Sequence, residues 1–328
     1  MKKIIYIVLY FGKLPYCFEL FLKSCRFNPT VDWLIFTDDT TQFDYPDNVH
    51  TEQISFTDMI KYIQRIYDFE IKIEVPYKLC DFKTAYGEIF EDYIRGYDFW
   101  GYCDLDIIWG NIRNFITDDI LEKYDKIGFQ GHSTLYRNTH ENNGVYRKTI
   151  DGLVDYKRTF SSSKNFSFDE TVITSIYNQL GIPQYTKTVF AHPSALHYSL
   201  YLKYLPVDED YKNKHQILEW DNGTLNRVCV NHGNIEKSEF MYFHIFKRKM
   251  KIPSERSNHF LILSHAIVPP CEISVSYIKR HNRNNMLMYY VRLLYNSRKK
   301  LRPNNINNII RALKSRKMKK KELKDRFK

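Results

Sequence analysis

Tyr97-Asp98-Phe99-Trp100-Gly101-Tyr102-Cys103-Asp104-Leu105-Asp106-Ile107-Ile108-Trp109-Gly110-Asn111 opens as an apolar, aromatic run bounded by Gly96 and Gly110. A short run of this kind reads as a buried strand. Asp104 and Asp106 interrupt it near its C-terminal end. Residues two apart on an extended chain point to the same side, so both acids can face one crevice. Two carboxylates in an apolar segment are costly to ionise without a cation or donor beside them. A divalent metal carrying a diphosphate would satisfy both, and in open α/β sheets such a ligand sits beyond the carboxyl ends of the strands. The structural alternative has the acids capping a helix that starts near Asn111.

Upstream, residues 4–10 predict a buried first strand ending at Phe11-Gly12, with a helix after Pro15 and a second strand from Asp32 to Thr37. Strand, helix, strand in that order opens a parallel α/β sheet. Gly12 either turns the chain or lets its backbone approach a ligand. A short strand over residues 49–54 precedes a helix capped by Thr57. Leu79, Phe82, Tyr86, Ile89, Phe90 and Tyr93 then predict a helix over residues 77–95. Lys78, Asp81 and Lys83 near its start either meet a nucleotide or form a solvated face.

Downstream, a short helix and a strand at Lys126–Gln130 lead into Gly131-His132-Ser133-Thr134, a polar stretch suited to lining a site. Residues 138–165 read as a mobile loop with a helical piece. Asp169-Glu170 open a helix running to Gln179, where they complement its dipole or serve the site. Residues 214–246 predict an antiparallel meander: His215–Trp220 and Thr224–Val230 flank the turn Asp221-Asn222-Gly223, and Glu239–Phe246 is the third strand. His244 near its end is either a core histidine or, with Lys247, Arg248 and Lys249 following, a metal ligand beside a phosphate clamp.

Hydrophobic residues make up 43% and aromatics 16% of the 328, which places the chain among folded proteins. Its net charge of +11 is unevenly spread. Residues 279–328 hold 18 Lys/Arg against Glu322 and Asp325, and the other 278 residues hold 31 basic and 36 acidic groups. A mildly acidic body argues against nucleic acid as its partner. The basic tail, with apolar residues at helical spacing, predicts an amphipathic helix on an anionic membrane. Domains are therefore expected at residues 1–278 and 279–328. Six scattered cysteines suggest buried free thiols of a reducing compartment. Met1-Lys2-Lys3 and the apolar run after it read as a strand, not a signal peptide, so a cytoplasmic protein on the inner membrane face is expected.

The patterns Tyr77-Lys78-Leu79-Cys80-Asp81-Phe82-Lys83 and Gly96 to Asp106 resemble those of bacterial GT-A glycosyltransferases of capsule and lipopolysaccharide synthesis. The resemblance runs from Ile4 to about Met250. It implies a Rossmann-like, mostly parallel α/β sheet with a small antiparallel meander. It also implies a nucleotide-diphosphate sugar donor, a UDP-sugar above all, bound with Mn2+ or Mg2+. Asp106 would be the main metal ligand, Asp104 would bind metal or ribose, and His244 would complete the metal site. Lys247 or Arg248 would clamp the diphosphate, with Asp81 and Lys83 as donor-binding acid and base. Phe11, Gly12 and Asp38 would hold base and ribose. The familiar H-x-x-G-x-x-K-P-W ending is absent.

Metal and cations would stabilise the charge of a departing nucleoside diphosphate. An inverting reaction also needs a base for the acceptor hydroxyl, on a glycan or lipid-linked oligosaccharide, and Asp169, Glu170 and His132 are the candidates. A retaining reaction needs none. Two other readings are a sugar nucleotidyltransferase, whose Gly-rich loop after the first strand is missing here, and a non-enzymatic membrane- or RNA-binding protein driven by the tail.

Overall fold

The computed structural model describes residues 1–205, 213, 215–253 and 257–282, with positions 290, 291 and 294. Ile4–Tyr10 forms strand β1, flanked by parallel strands and apolar because both of its faces are covered by apolar cores. Helix α1 (Phe18–Arg26) buries Phe18, Phe21, Leu22 and Cys25 on one face, with Glu19 in its first turn and Arg26 in its last, as the helix dipole favours. β2 (Val31–Thr37) and β3 (Val49–Gln53) follow. Helix α2 (Phe56–Gln64) is capped by Ser55, whose Oγ accepts the Asp58 amide at 3.1 Å, so it starts before the expected Thr57.

The motif itself is split. β4 (Phe99–Cys103) ends just before Asp104, the chain bends through Leu105, and β5 (Ile107–Trp109) leaves for another sheet. β6 (Lys126–Gln130), β7 (Ser133–Arg137), β8 (Gln184–Tyr185), β9 (Phe190–Pro193) and β10 (Leu202–Lys203) come next. They are followed by β11 (Gln216–Asp221), β12 (Thr224–Asn231), β13 (Asn234–Phe240), β14 (Tyr242–His244), β15 (His259–Ile262) and β16 (Ile267–Val268).

Three sheets result among the described residues. The central one runs β3-β2-β1-β4-β7-β6-β8, a second runs β10-β9-β14-β5, and a third runs β13-β12-β11-β15-β16. The fold is mixed α/β. The expected mostly parallel sheet is interrupted: β3, β2, β1 and β4 run parallel and β8 is parallel to β6, but β7 lies antiparallel to both β4 and β6. The third sheet is antiparallel throughout. One apolar core covers each face of the central sheet, and a third joins the other two sheets.

Other expectations are corrected as well. Pro76–Ala85 winds as tight 3-10 turns and only Tyr86–Ile89 is an α-turn, in place of one helix over residues 77–95. Within this turn-rich stretch the charged side chains are held by buried partners: Lys78 pairs with Asp81, Asp81 accepts the Phe166 amide, and Lys83 reaches Asp104. Residues 138–165 carry three short helical turns, and Tyr146 and Phe160 anchor them in the core. Asp169 and Glu170 lie in a wide π-turn, Phe168–Val172, ahead of the α-helix Ile173–Gln179. The third meander strand is Asn234–Phe240. Beyond it the Met241 amide bonds to the Val189 carbonyl at 2.7 Å, and the chain changes sheets.

The helix Val275–His281 packs Ile278 against Ile217, Val228 and Leu261, so the boundary drawn after residue 278 falls inside it. Apart from positions 290, 291 and 294, the tail from residue 283 lies outside the described residues. Among the described residues, no helix is long and apolar enough to cross a membrane. The six cysteines are free thiols, but Cys80 is only half-buried and Cys271 is exposed.

Candidate functional site

A cleft of about 410 Å³ opens where β1 and β4 end, lined by Tyr10, Phe11, Tyr77, Lys83, Asp104 and Asp106 among others. The bend at Leu105 brings the two acids together, which an extended strand would hold too far apart. The third member arrives by register. β5 pairs antiparallel with β14, Ile107 opposite His244, and the Ile245 amide bonds to the Asp106 carbonyl at 2.8 Å. His244 Nε2 consequently lies 3.2 Å from Asp106 Oδ1 and 3.8 Å from Asp104 Oδ2. One ligand atom from each of Asp104, Asp106 and His244 falls within 4.8 Å of the others. Two carboxylates and an imidazole are a donor set that could hold a divalent cation.

Lys83 is the cleft's buried cation. Its Nζ donates to Asp104 Oδ1 at 2.7 Å and to the Gly131 carbonyl at 2.7 Å. Burial alone would lower its pKa, but Asp104, Cys80 and Asp169 together hold the ammonium well above its usual range. Asp169 is buried nearby. Desolvation, opposed by Lys83 and reinforced by Glu170 and Asp104, pushes its carboxyl up to about 7. Glu170 Oε1 accepts the Gly131 amide at 3.3 Å. A Cβ on Gly131 would overlap Asp169 Oδ2, so only glycine lets the loop lie this close to the carboxylate.

At the other end, Asp38 Oδ1 accepts the Gly12 amide at 2.7 Å and Gly12 has φ +91°, a conformation that favours glycine. Phe11 lines the cleft with its ring against Phe56. Asp38 is thus committed to the turn after β1.

Two expected donor ligands do other work. Asp81 is fully buried, pairs with Lys78 at 2.8 Å and accepts the Phe166 and Phe168 amides. Arg248 is buried too, its guanidinium donating to the carbonyls of Ser194, His197, Ser199 and Ser264. These contacts brace this part of the fold. Lys247 is exposed and lies over the Phe246 ring.

Behind the acids sit three histidines. His132 Nδ1 is 2.9 Å from the Tyr242 hydroxyl, and its ring centroid is 4.4 Å from that of His244. His192, which sequence reading missed, places Nδ1 3.0 Å from His244 Nδ1. Burial drives His132 well below the ordinary histidine pKa, and burial with His244 lowers His192 to about 3, so both are neutral. The signal for His192 was slight: Phe190-Ala191-His192-Pro193 is a four-residue strand among polar neighbours.

Residues 6–270 match the family described as Family of unknown function (DUF6625), and the chain belongs to it. A search of the curated proteins finds no match.

Proposed function

We propose that the protein is a metal-dependent glycosyltransferase of GT-A type that moves a sugar from a nucleotide-diphosphate sugar to a hydroxyl acceptor. The observation that carries this reading is the convergence of Asp104, Asp106 and His244 in a cleft at the strand ends, with Lys83 beside them. The parallel run β3-β2-β1-β4 followed by an antiparallel strand supports it too, since nucleotides lie beyond the carboxyl ends of such strands.

Asp104, Asp106 and His244 would hold Mn2+ or Mg2+, which when bound supplies positive charge to a leaving diphosphate. Asp106 is the freer acid for this, because Asp104 already accepts a hydrogen bond from Lys83. The Lys83 ammonium supplies a second, fixed positive charge at the cleft. Phe11 and Tyr77 offer ring faces for the base and sugar. Asp169, with a carboxyl near 7, is matched to accept a proton from an acceptor hydroxyl at neutral pH. His132 is enclosed and held by Tyr242, which suits it less to that role. The Lys/Arg-rich tail adds an anionic membrane surface as the place of action, on sequence grounds.

A thermal-shift panel of nucleoside diphosphates, with and without Mn2+, tests the reading. A nucleotide that raises the melting temperature only with metal is expected, by mass action on the folded state. No shift with any nucleotide would overturn it.

A further inference from the structure

We propose that His132, His192 and His244 form a second cation site, made of nitrogen alone, for a borderline metal such as Zn2+ or Co2+. We propose also that an ion there competes for His244 with an ion on Asp104 and Asp106. The competition rests on the function proposed above, whereas the site itself does not.

One ring nitrogen of each histidine lies within 4.8 Å of the other two, and each residue is 4% exposed. The fold brings them together from three places. His132 sits in the turn between β6 and β7. The parallel ladder of β9 and β14, with Tyr242 opposite Phe190 and Phe243 opposite Ala191, sets the next residues, His244 and His192, side by side. Zinc–nitrogen bonds of about 2.0–2.1 Å put tetrahedral ligands roughly 3.3 Å apart. The Nδ1 atoms of His192 and His244 are 3.0 Å apart. His132 Nδ1 is held by Tyr242, while its Nε2 is buried with no hydrogen-bond partner. An orphaned buried nitrogen costs free energy that a bound ion would remove.

The ligand chemistry separates the two faces of His244. Imidazoles suit zinc, copper and nickel, whereas an oxygen-rich set suits magnesium and manganese. A neutral imidazole has one lone pair. Coordination through His244 Nδ1 leaves the proton on Nε2, which then donates to Asp106 Oδ1, 3.2 Å away. That is a carboxylate–histidine–metal arrangement, and it removes Nε2 as a ligand for the acidic site. No proton is released, because His192 need only move its Nδ1 proton to Nε2.

Co2+ added to the full-length protein gives the test, read by its visible absorption. A tetrahedral-type band is expected in the wild type and in the Asp104→Asn/Asp106→Asn double variant. His132→Gln and His192→Gln are each expected to weaken Co2+ binding at least tenfold with unchanged circular dichroism. Should a histidine variant fail to fold, the Zn2+-dependent thermal shift of the double variant decides: a rise supports the site and none overturns it. Absence of the band in the wild type, or a band untouched by both histidine variants, also overturns it. One equivalent of Zn2+ should release Mn2+, seen by its electron paramagnetic resonance, from the wild type but not from His192→Gln. Mn2+ retained while the cobalt band develops would overturn the competition. A band without any Mn2+ binding would support the nitrogen site and sink the function proposed above.

Discussion

Lys83 Nζ bridges Asp104 Oδ1 and the Gly131 carbonyl at 2.7 Å each, tying the end of β4 to the loop that carries His132. Asp104 Oδ1 is therefore committed within the protein, while Asp104 Oδ2 and Asp106 Oδ1 face His244. Lys83→Met should weaken nucleoside diphosphate binding roughly tenfold or more, the worth of one charge-assisted contact of about 1.5–3 kcal/mol. Isothermal titration in the presence of Mn2+ measures this. Unchanged affinity would make Lys83 a purely structural tie.

Asp106→Ala should abolish Mn2+-dependent nucleotide binding while leaving the melting temperature near that of the wild type. The side chain is 28% exposed and partners only His244 among the ion pairs of the described residues, so its removal leaves no buried cation unpaired. A variant with normal donor affinity would place the metal elsewhere.

Asp169 sets a pH dependence. Its folded carboxyl titrates near 7 against an ordinary 3.8, so the folded state binds the proton more tightly. The stability this contributes is full below the unfolded value and is lost as pH rises through 7. Activity should move oppositely, rising across pH 7 as the carboxylate forms. Asp169→Asn should lower turnover by about 100-fold or more, the usual worth of a general base, and stabilise the protein at pH 8 relative to wild type. Urea melts at pH 5 and 8 with a pH–rate profile read both; a wild-type-like profile in the variant would remove Asp169 as the base.

Lys126 is buried with its Nζ on the Gly128 carbonyl and Thr174 Oγ1, and burial lowers its pKa to about 7. The unfolded chain holds that proton up to about 10.5, so stability should rise between pH 7 and 10.5. Lys126→Met should flatten the slope and raise the melting temperature at pH 6. Parallel slopes for the two proteins would contradict the assignment.

Arg248→Met should destabilise the fold, since it strands several buried carbonyls at once, each unsatisfied group costing about 1–3 kcal/mol. A phosphate clamp would behave differently, with normal stability and weakened donor binding. Chemical denaturation separates the two.

The site was legible where a local pattern carried it. Asp104, Asp106 and Lys83 stood out as charges within apolar segments, and His244 as a histidine followed by cations. Asp81 and Arg248 belonged to the same patterns, yet their internal partners were not legible, because which way a buried charge points depends on groups far along the chain: Phe166 and Phe168 for one, Ser194 to Ser264 for the other. The opening parallel strands followed from their unbroken apolar runs. The break at Met241 did not, since Glu239 to Phe246 shows one continuous strand-like composition. Only pairing with Val189 and Trp109 divides it.

The pairing of Ile107 with His244 also bears on how the protein is made. Sheet contacts between residues so far apart in sequence close late, because the intervening loop must first be ordered. During synthesis the acids emerge long before the histidine that completes them. A nascent chain ending before β14 would carry the two carboxylates with no imidazole between them, and β5 without its antiparallel neighbour. On the function proposed above, capacity to hold a cation should therefore appear only after β14 has paired with β5, making ion uptake a reporter of that step.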